Sequence, residues 1–169
     1  YEHALEQVKK LESIPSILLY ISQILNEGRL GFAEAKCREF LKKNPTHTYA
    51  MALLSEIANR LGYFDDAEFL LEKAVNFKPE DGELRMKYAE ILRKKQKFAK
   101  TMEQVNILCE KHPDNLVYQA QKASEVMQNG GHEEAIVLLD DILKKNPYNF
   151  STLTSVSYTH LTLPTIYSV

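Results

Sequence analysis

A set of four prolines recurs at one fixed interval along this 169-residue chain: Pro45, Pro79, Pro113 and Pro147, each 34 residues from the next. Two further sets keep the same register. Seventeen residues before these prolines stand Gly28, Gly62, Gln96 and Gly130, and twelve residues before them stand Ala33, Ala67, Thr101 and Ala135. A period of this length is typical of repeat proteins, in which each unit buries its apolar face against the next unit. The sequence therefore predicts a stack of similar units.

The glycine and proline positions divide each unit into two helices, because glycine allows a left-handed turn and proline ends a helix. We predict helices over residues 15–27, 30–43, 48–61, 64–77, 82–95, 98–111, 116–129 and 132–145. The predicted fold class is all-α, an α-solenoid (right-handed superhelix) of about four 34-residue helix-turn-helix repeats. We place the repeats at 14–47, 48–81, 82–115 and 116–149, a partial or capping helix at 1–13, and the start of a truncated fifth repeat at 150–155.

Charge and hydropathy exclude several classes of partner. The chain has 21 Lys and Arg against 23 Asp and Glu, with no basic block to hold phosphates, so we expect neither a nucleic-acid partner nor a membrane partner. The longest apolar run, residues 17–21, is too short to cross a bilayer. Two cysteines are too few for a disulfide framework, which favours a reducing, cytoplasmic location. Because the chain begins at Tyr1, inside an amphipathic pattern, we expect it to be a fragment.

The second unit carries the clearest family motif. It runs from Leu54 through the segment Gly62-Tyr63-Phe64-Asp65-Asp66-Ala67 to Ala74 and Pro79, and it resembles the tetratricopeptide repeat. The resemblance covers about residues 14–149. It implies a protein-interaction or substrate-presenting scaffold that binds a peptide or protein in a concave groove lined by the first helix of each repeat. The third unit departs most from the pattern, with Gln96 for glycine, in a turn expected to be left-handed, and Thr101 for alanine. Arg85 and Gln119 stand where the family usually has apolar residues, so we expect them to weaken the first helices of their units.

A narrower resemblance suggests an enzymatic alternative. Residues 50–74 and 85–92 are similar to the N-terminal repeats of bacterial proteins that carry a sulfotransferase domain after them. The resemblance implies a parent that uses 3′-phosphoadenosine 5′-phosphosulfate, with the catalytic domain missing from this fragment. No phosphate-binding loop or catalytic base appears in the sequence, so we expect the fragment itself to be no enzyme and to hold no cofactor.

The end of the chain has a different composition. Residues 146–169 contain no Asp, Glu, Lys or Arg, and Ser and Thr are frequent from residue 151 onward. The segment 156–169 resembles translated sequencing-adapter tails, which would make it a non-native or disordered tail. The alternative is a native tail that favours β-structure, since it is rich in Thr, Tyr, Ile and Val.

A search for catalytic and metal-binding patterns predicts neither kind of site. The five histidines include no pair at metal-ligand spacing, and His47 and His112 fall in the turns near the prolines. Adjacent carboxylates such as Asp65 and Asp66 stand at helix starts, where they stabilise the helix dipole. We therefore expect solvated histidines, structural carboxylates and no metal.

A stripe on the first helices predicts the binding groove. Residues at fixed offsets before each proline share one helical face, and we assign the peptide-binding groove to Tyr49, Glu56, Asn59, Arg60, Glu83, Met86, Glu90, Arg93 and Met127. This mixture suits a peptide of mixed charge with an apolar anchor. The alternative is a solvated face with intrahelical pairs such as Glu56 with Arg60. The acids on this face disfavour the carboxylate clamp of the family's chaperone-binding members, and no feature indicates an oligomeric state.

Overall fold

The computed structural model describes residues 14–146, which contain eight α-helices and no strand. The helices are α1 (Ser16–Asn26), α2 (Leu30–Lys43), α3 (Thr48–Arg60), α4 (Phe64–Phe77), α5 (Gly82–Lys94), α6 (Phe98–Lys111), α7 (Leu116–Gln128) and α8 (His132–Lys145). The prediction of an all-α helical-repeat fold is confirmed, and every helix end lies within one residue of its predicted position. The predicted segments 1–13, 150–155 and 156–169 lie outside the described residues, and the four repeat boundaries stay a prediction.

The chain divides into two compact units, Tyr1–Ile91 and Leu92–Val169. In the first unit, α1 packs against α2 and α3, α2 packs against α3, and α3 packs against α4. Its core includes the fully buried side chains of Leu18, Ile21, Ile24 and Ile57. In the second unit, α7 packs against both α6 and α8. Within each unit, these helices therefore pack against their neighbours along the chain, as helical repeats require.

The turn inside each helix pair contains one residue with left-handed backbone. Gly28, Gly62 and Gly130 have φ values of 79°, 81° and 87°, and Gln96 adopts φ of 57° at the equivalent place. The amide of Gln96 donates to the Arg93 carbonyl at 2.9 Å, and the next amide donates to the Leu92 carbonyl at 2.9 Å. The same two hydrogen bonds close the turn at Gly28. The predicted left-handed turn at Gln96 is therefore confirmed.

The small residues that recur twelve positions before each proline are buried. Ala33, Ala67 and Ala135 are fully buried on α2, α4 and α8. Thr101 is fully buried at the same position of α6, where its hydroxyl donates to the Lys97 carbonyl at 3.2 Å. Because this hydrogen bond satisfies the hydroxyl within its own helix, threonine replaces alanine without leaving a buried polar group unpaired.

Two polar residues behave differently from the sequence expectation. Arg85 and Gln119 occupy positions where apolar residues usually stack, and we expected them to weaken the first helices of their units. Arg85 is instead buried, and its Nη2 donates to the Pro79 carbonyl at 3.1 Å. The Gln119 amide nitrogen donates in the same way to the Pro113 carbonyl. These two side chains tie their helices to the preceding proline turns.

Candidate functional site

A cavity of about 420 Å³ opens on the first compact unit, between α1, α3 and α5. Four of the nine predicted groove residues line it: Tyr49, Glu56, Arg60 and Glu83. The apolar part of its wall comes from residues of all three helices: Leu25, Ala52, Leu53 and Leu84. Both apolar and charged side chains therefore line the cavity.

The other predicted residues are not at this cavity. Asn59, Met86 and Glu90 lie on α3 and α5 in the first unit without lining it. Arg93 and Met127 belong to the second unit, where both are half-buried. The structure brings together Tyr49, Glu56 and Arg60 of α3 with Glu83 of α5.

Tyr49 provides the aromatic surface of the cavity. It lies in the first turn of α3, is half-buried, and packs against the apolar core around Leu53 and Leu54. A tyrosine in this position offers a large apolar face together with a hydroxyl, a combination that is frequent in binding sites.

Glu56 and Arg60 neutralise each other across one helical turn. The Arg60 Nε donates to Glu56 Oε1 at 2.8 Å, as the alternative reading of the stripe predicts. Arg60 Nη1 also donates to the Leu25 carbonyl at 3.1 Å, near the end of α1. Arg60 therefore links α1 to α3, and neither member of the pair offers an uncompensated charge to a ligand.

His47 and Asp81 cap the helices that border the cavity. His47 Nδ1 accepts from the Ala50 amide at 3.3 Å at the start of α3, and Asp81 Oδ1 accepts from the Glu83 and Leu84 amides at 3.1 and 3.2 Å at the start of α5. The His47 ring also meets the Phe40 ring edge-on, with 5.2 Å between centroids. Burial, with a smaller contribution from the positive charge of Lys78, lowers the pKa of His47. The expectation of a solvated turn histidine is wrong here, because the imidazole is partly buried and holds the helix start.

Two lysines of the cavity were missed by the sequence reasoning. Lys78 follows the end of α4, and Lys87 lies on α5; neither forms an ion pair with any residue between 14 and 146. Lys87 is four residues after Glu83, so helical spacing places it on the same face and could have identified it. Lys78 lies in a turn, where side-chain placement depends on tertiary structure. The cavity lining therefore carries both signs of charge, with the acids Glu56, Asp81 and Glu83 and the bases Arg60, Lys78 and Lys87.

Comparison with known proteins identifies the fold. TTC0263, a tetratricopeptide-repeat protein of Thermus thermophilus, matches with a TM-score of 0.71 and 16% identity over 91% of this chain and 85% of that chain. MamA of Desulfovibrio magneticus RS-1 matches with a TM-score of 0.73 and 10% identity over 86% and 82% of the two chains. The chain has the tetratricopeptide-repeat fold. An O-GlcNAc transferase mutant of Thermobaculum terrenum also matches, with a TM-score of 0.67 and 17% identity, over 77% of this chain but 25% of its own length.

The sequence comparisons add no family assignment. No protein-family model and no curated protein matches this chain. At the identities of the solved structures, the likeness describes the fold. The cavity of the first unit lies on α1, α3 and α5, which the sequence predicts to be first helices of repeats.

In the second unit of the repeat fold, a buried ion pair engages the predicted groove residue Arg93. Its Nη1 donates to Glu125 Oε1 at 3.0 Å, and Gln121 Nε2 donates to the same oxygen at 2.6 Å. Glu125 is only 1% exposed, and its second carboxylate oxygen is buried without a hydrogen-bond partner. Arg93 therefore compensates a buried charge, which is a structural role.

The described residues show no redox or metal centre. Cys37 is fully buried, and burial raises its pKa to about 11, while its thiol donates to the Ala50 carbonyl at 3.2 Å. Its thiol is therefore protonated at neutral pH and unreactive. Between residues 14 and 146 no group of three or more His, Cys, Asp or Glu is arranged to hold a metal ion. None of the eight helices is long and apolar enough to span a membrane.

Proposed function

We propose that this chain is a protein-interaction scaffold that binds an extended or helical segment of a partner protein in the cavity between α1, α3 and α5. The observation that carries the proposal is the cavity itself, with an apolar floor at Tyr49, Leu53 and Leu84 and the lysines Lys78 and Lys87 at its edge. Its volume of about 420 Å³ lies within the range of about 300–1,000 Å³ that is usual for ligand sites.

The charges at this cavity favour a particular kind of segment. Three acidic residues (Glu56, Asp81 and Glu83) and three basic residues (Arg60, Lys78 and Lys87) line it, and Glu56 is paired with Arg60. We infer that the bound segment carries an apolar or aromatic anchor next to Tyr49 and charged groups of both signs. This agrees with the mixed-charge partner that the sequence suggests.

Selection from a random peptide library on the full chain tests the proposal, with variants at two tyrosines. Tyr49→Ala removes the aromatic wall of the cavity. Tyr63→Ala is the matched control, because Tyr63 is 59% exposed in the same unit and does not line the cavity. We expect selected peptides to share an apolar anchor and charged residues of both signs, and to bind Tyr49→Ala at least about tenfold more weakly than Tyr63→Ala. Failure to select any peptide, or an equal loss in both variants, contradicts the proposal.

The second candidate function concerns the parent protein. Similarity of residues 50–74 and 85–92 to repeats that precede sulfotransferase domains supports a parent that transfers a sulfuryl group, with these helices as its non-catalytic part. The coding sequence downstream of residue 155 in the source genome tests it. A following strand and phosphate-binding loop would support the candidate, and their absence would reject it. The cytoplasmic location rests on the two cysteines alone and stays a prediction.

A further inference from the structure

A second cavity adjoins the first at the turn before α3. It has a volume of about 420 Å³ and is lined by residues of the turn between α2 and α3 together with Lys78 from the end of α4. His47, Thr48 and Lys78 line both cavities, so the two are adjacent within the first unit. We call the second cavity the Lys43–Lys78 pocket after its two lysines.

The charged groups lining the Lys43–Lys78 pocket are cationic. Lys43 lies in the last turn of α2 and Lys78 follows the last residue of α4, and no carboxylate lines the pocket. Neither lysine forms an ion pair with any described residue. Two lysines that share a cavity without a carboxylate produce a positive potential, which attracts an anion.

Two hydroxyl groups also line the pocket, those of Thr46 and Thr48. Thr48 lines the first cavity as well. A threonine hydroxyl can donate a hydrogen bond to a bound anion, so the pocket offers neutral donors beside its two lysines.

We propose that the Lys43–Lys78 pocket binds an anionic oxygen group, a carboxylate or a phosphate, of the segment held in the neighbouring cavity. This inference rests on the proposed function. Lys43 and Lys78 compensate the charge, and the Thr48 hydroxyl donates to the anion. A segment with its apolar anchor beside Tyr49 reaches the pocket past His47 and Lys78, which border both cavities. Lys43 and Lys78 lie at the ends of α2 and α4 and not on the predicted first helices. The pocket therefore differs from the carboxylate clamp of chaperone-binding family members, which uses residues of the first helices.

Inorganic anions test the pocket without any peptide. The full chain is titrated with phosphate, and separately with acetate, at constant pH and ionic strength, while NMR follows the amides of Thr46, His47 and Thr48. The double variant Lys43→Gln/Lys78→Gln removes both charges. The matched control, Lys42→Gln/Lys100→Gln, removes two exposed lysines that do not line the pocket.

We expect phosphate to produce saturable shifts of these amides in the wild type and the control, and affinity to fall at least tenfold in Lys43→Gln/Lys78→Gln. Saturation by acetate as well would show that carboxylate is accepted, and saturation by phosphate alone would make phosphate the ligand group. Absence of a saturable response to both anions, or an equal response of both double variants, overturns the proposal.

Peptides selected on the chain separate this proposal from the proposed function. Each peptide is made with a free carboxyl terminus, with a terminal amide, and with a phosphoserine plus the amide. The single variant Lys43→Gln is used here, because Lys43 lines the Lys43–Lys78 pocket but not the first cavity. We expect Lys43→Gln to weaken a carboxylate or phosphate form about threefold or more, and to leave the amide form unchanged. Binding that depends on Tyr49 but not on Lys43 overturns the pocket and keeps the proposed function. Anion binding without any peptide binding keeps the pocket and overturns the proposed function.

Discussion

At the scale of single residues, Gln96 carries backbone strain that glycine avoids at the other three turns. It has φ of 57°, a region where a side chain costs about 1–2 kcal/mol. We expect Gln96→Gly to stabilise the chain by up to about 1 kcal/mol. The stabilisation from relieving the backbone strain is partly offset, because glycine has greater conformational freedom in the unfolded chain. Lys97→Gly is the control, because Lys97 has φ of −86° and therefore has no left-handed backbone strain for glycine to relieve. Urea unfolding measures both, and a loss of stability in Gln96→Gly would contradict the expectation.

His47 is expected to make stability depend on pH. Its pKa is lowered in the folded chain from 6.5, chiefly by burial, so below pH 6.5 the unfolded chain takes up the proton more readily. The stabilising contribution of the neutral ring is complete above pH 6.5 and decreases as the pH falls from 6.5 toward the lower folded-state pKa. Protonation of Nδ1 also removes the acceptor for the Ala50 amide.

The variant His47→Asn keeps a capping acceptor without the titration, as Asn115 does at the equivalent start of α7. We expect the wild type to lose stability relative to His47→Asn between pH 7.5 and pH 5. Parallel pH profiles of the two proteins, measured by urea unfolding, would reject a role for His47.

At the scale of helices, the sequence predicted every helix because each boundary is fixed by a local rule. Glycine or a tolerated substitute ends the first helix of a pair, and the proline turn ends the second. The buried pair of Arg93 and Glu125 could not be predicted in this way, because 32 residues separate its members and the pairing depends on how α5 and α7 pack. Lys78 was missed for the same reason. Residues whose role depends on a turn or on a second helix have no periodic signal.

Arg85 is expected to stabilise α5, opposite to its sequence interpretation. Its guanidinium is buried and donates to the Pro79 carbonyl. Arg85→Ala removes a hydrogen bond from a charged donor, and we expect a loss of about 1.5–3 kcal/mol. Lys87→Ala on the same helix, where no ion pair with a described residue is lost, should change stability by less than about 0.5 kcal/mol. Equal stability of the two variants in urea unfolding would show that Arg85 does not stabilise α5, as its sequence interpretation implies.

The ion pair between α5 and α7 makes a second prediction at this scale. Arg93→Ala leaves the buried carboxylate of Glu125 without its cation, and we expect a loss of about 3 kcal/mol. Glu125→Ile should lower the free energy of unfolding much less than Arg93→Ala does, or raise it. The reason is that apolar Ile57 and Ile91 are buried at the equivalent positions of α3 and α5. In the Glu125→Ile background, Arg93→Ala should then be nearly neutral. Additive effects of the two changes in a double-mutant cycle would contradict the coupling.

At the scale of the molecule, the repeat fold was predictable from the 34-residue period, whereas a peptide site on the predicted first helices stays a proposal. Four of the nine predicted groove residues, Tyr49, Glu56, Arg60 and Glu83, line the cavity. The rest of the lining was not predictable, because Leu25 of α1 and Lys78 after α4 reach the cavity only through the packing of the helices.

Binding in the cavity between α1, α3 and α5 is tested by mapping a selected peptide onto the isotope-labelled full chain through amide chemical shifts. We expect one saturable site, with perturbed amides in α1, α3 and the first half of α5, including Tyr49 and Lys87. We expect no comparable shifts in α2 before its last turn or on the exposed face of α4. The same titration on Tyr49→Ala should require at least about ten times more peptide. Perturbations concentrated on α2 and α4 would show that the peptide binds the second helices instead of this cavity.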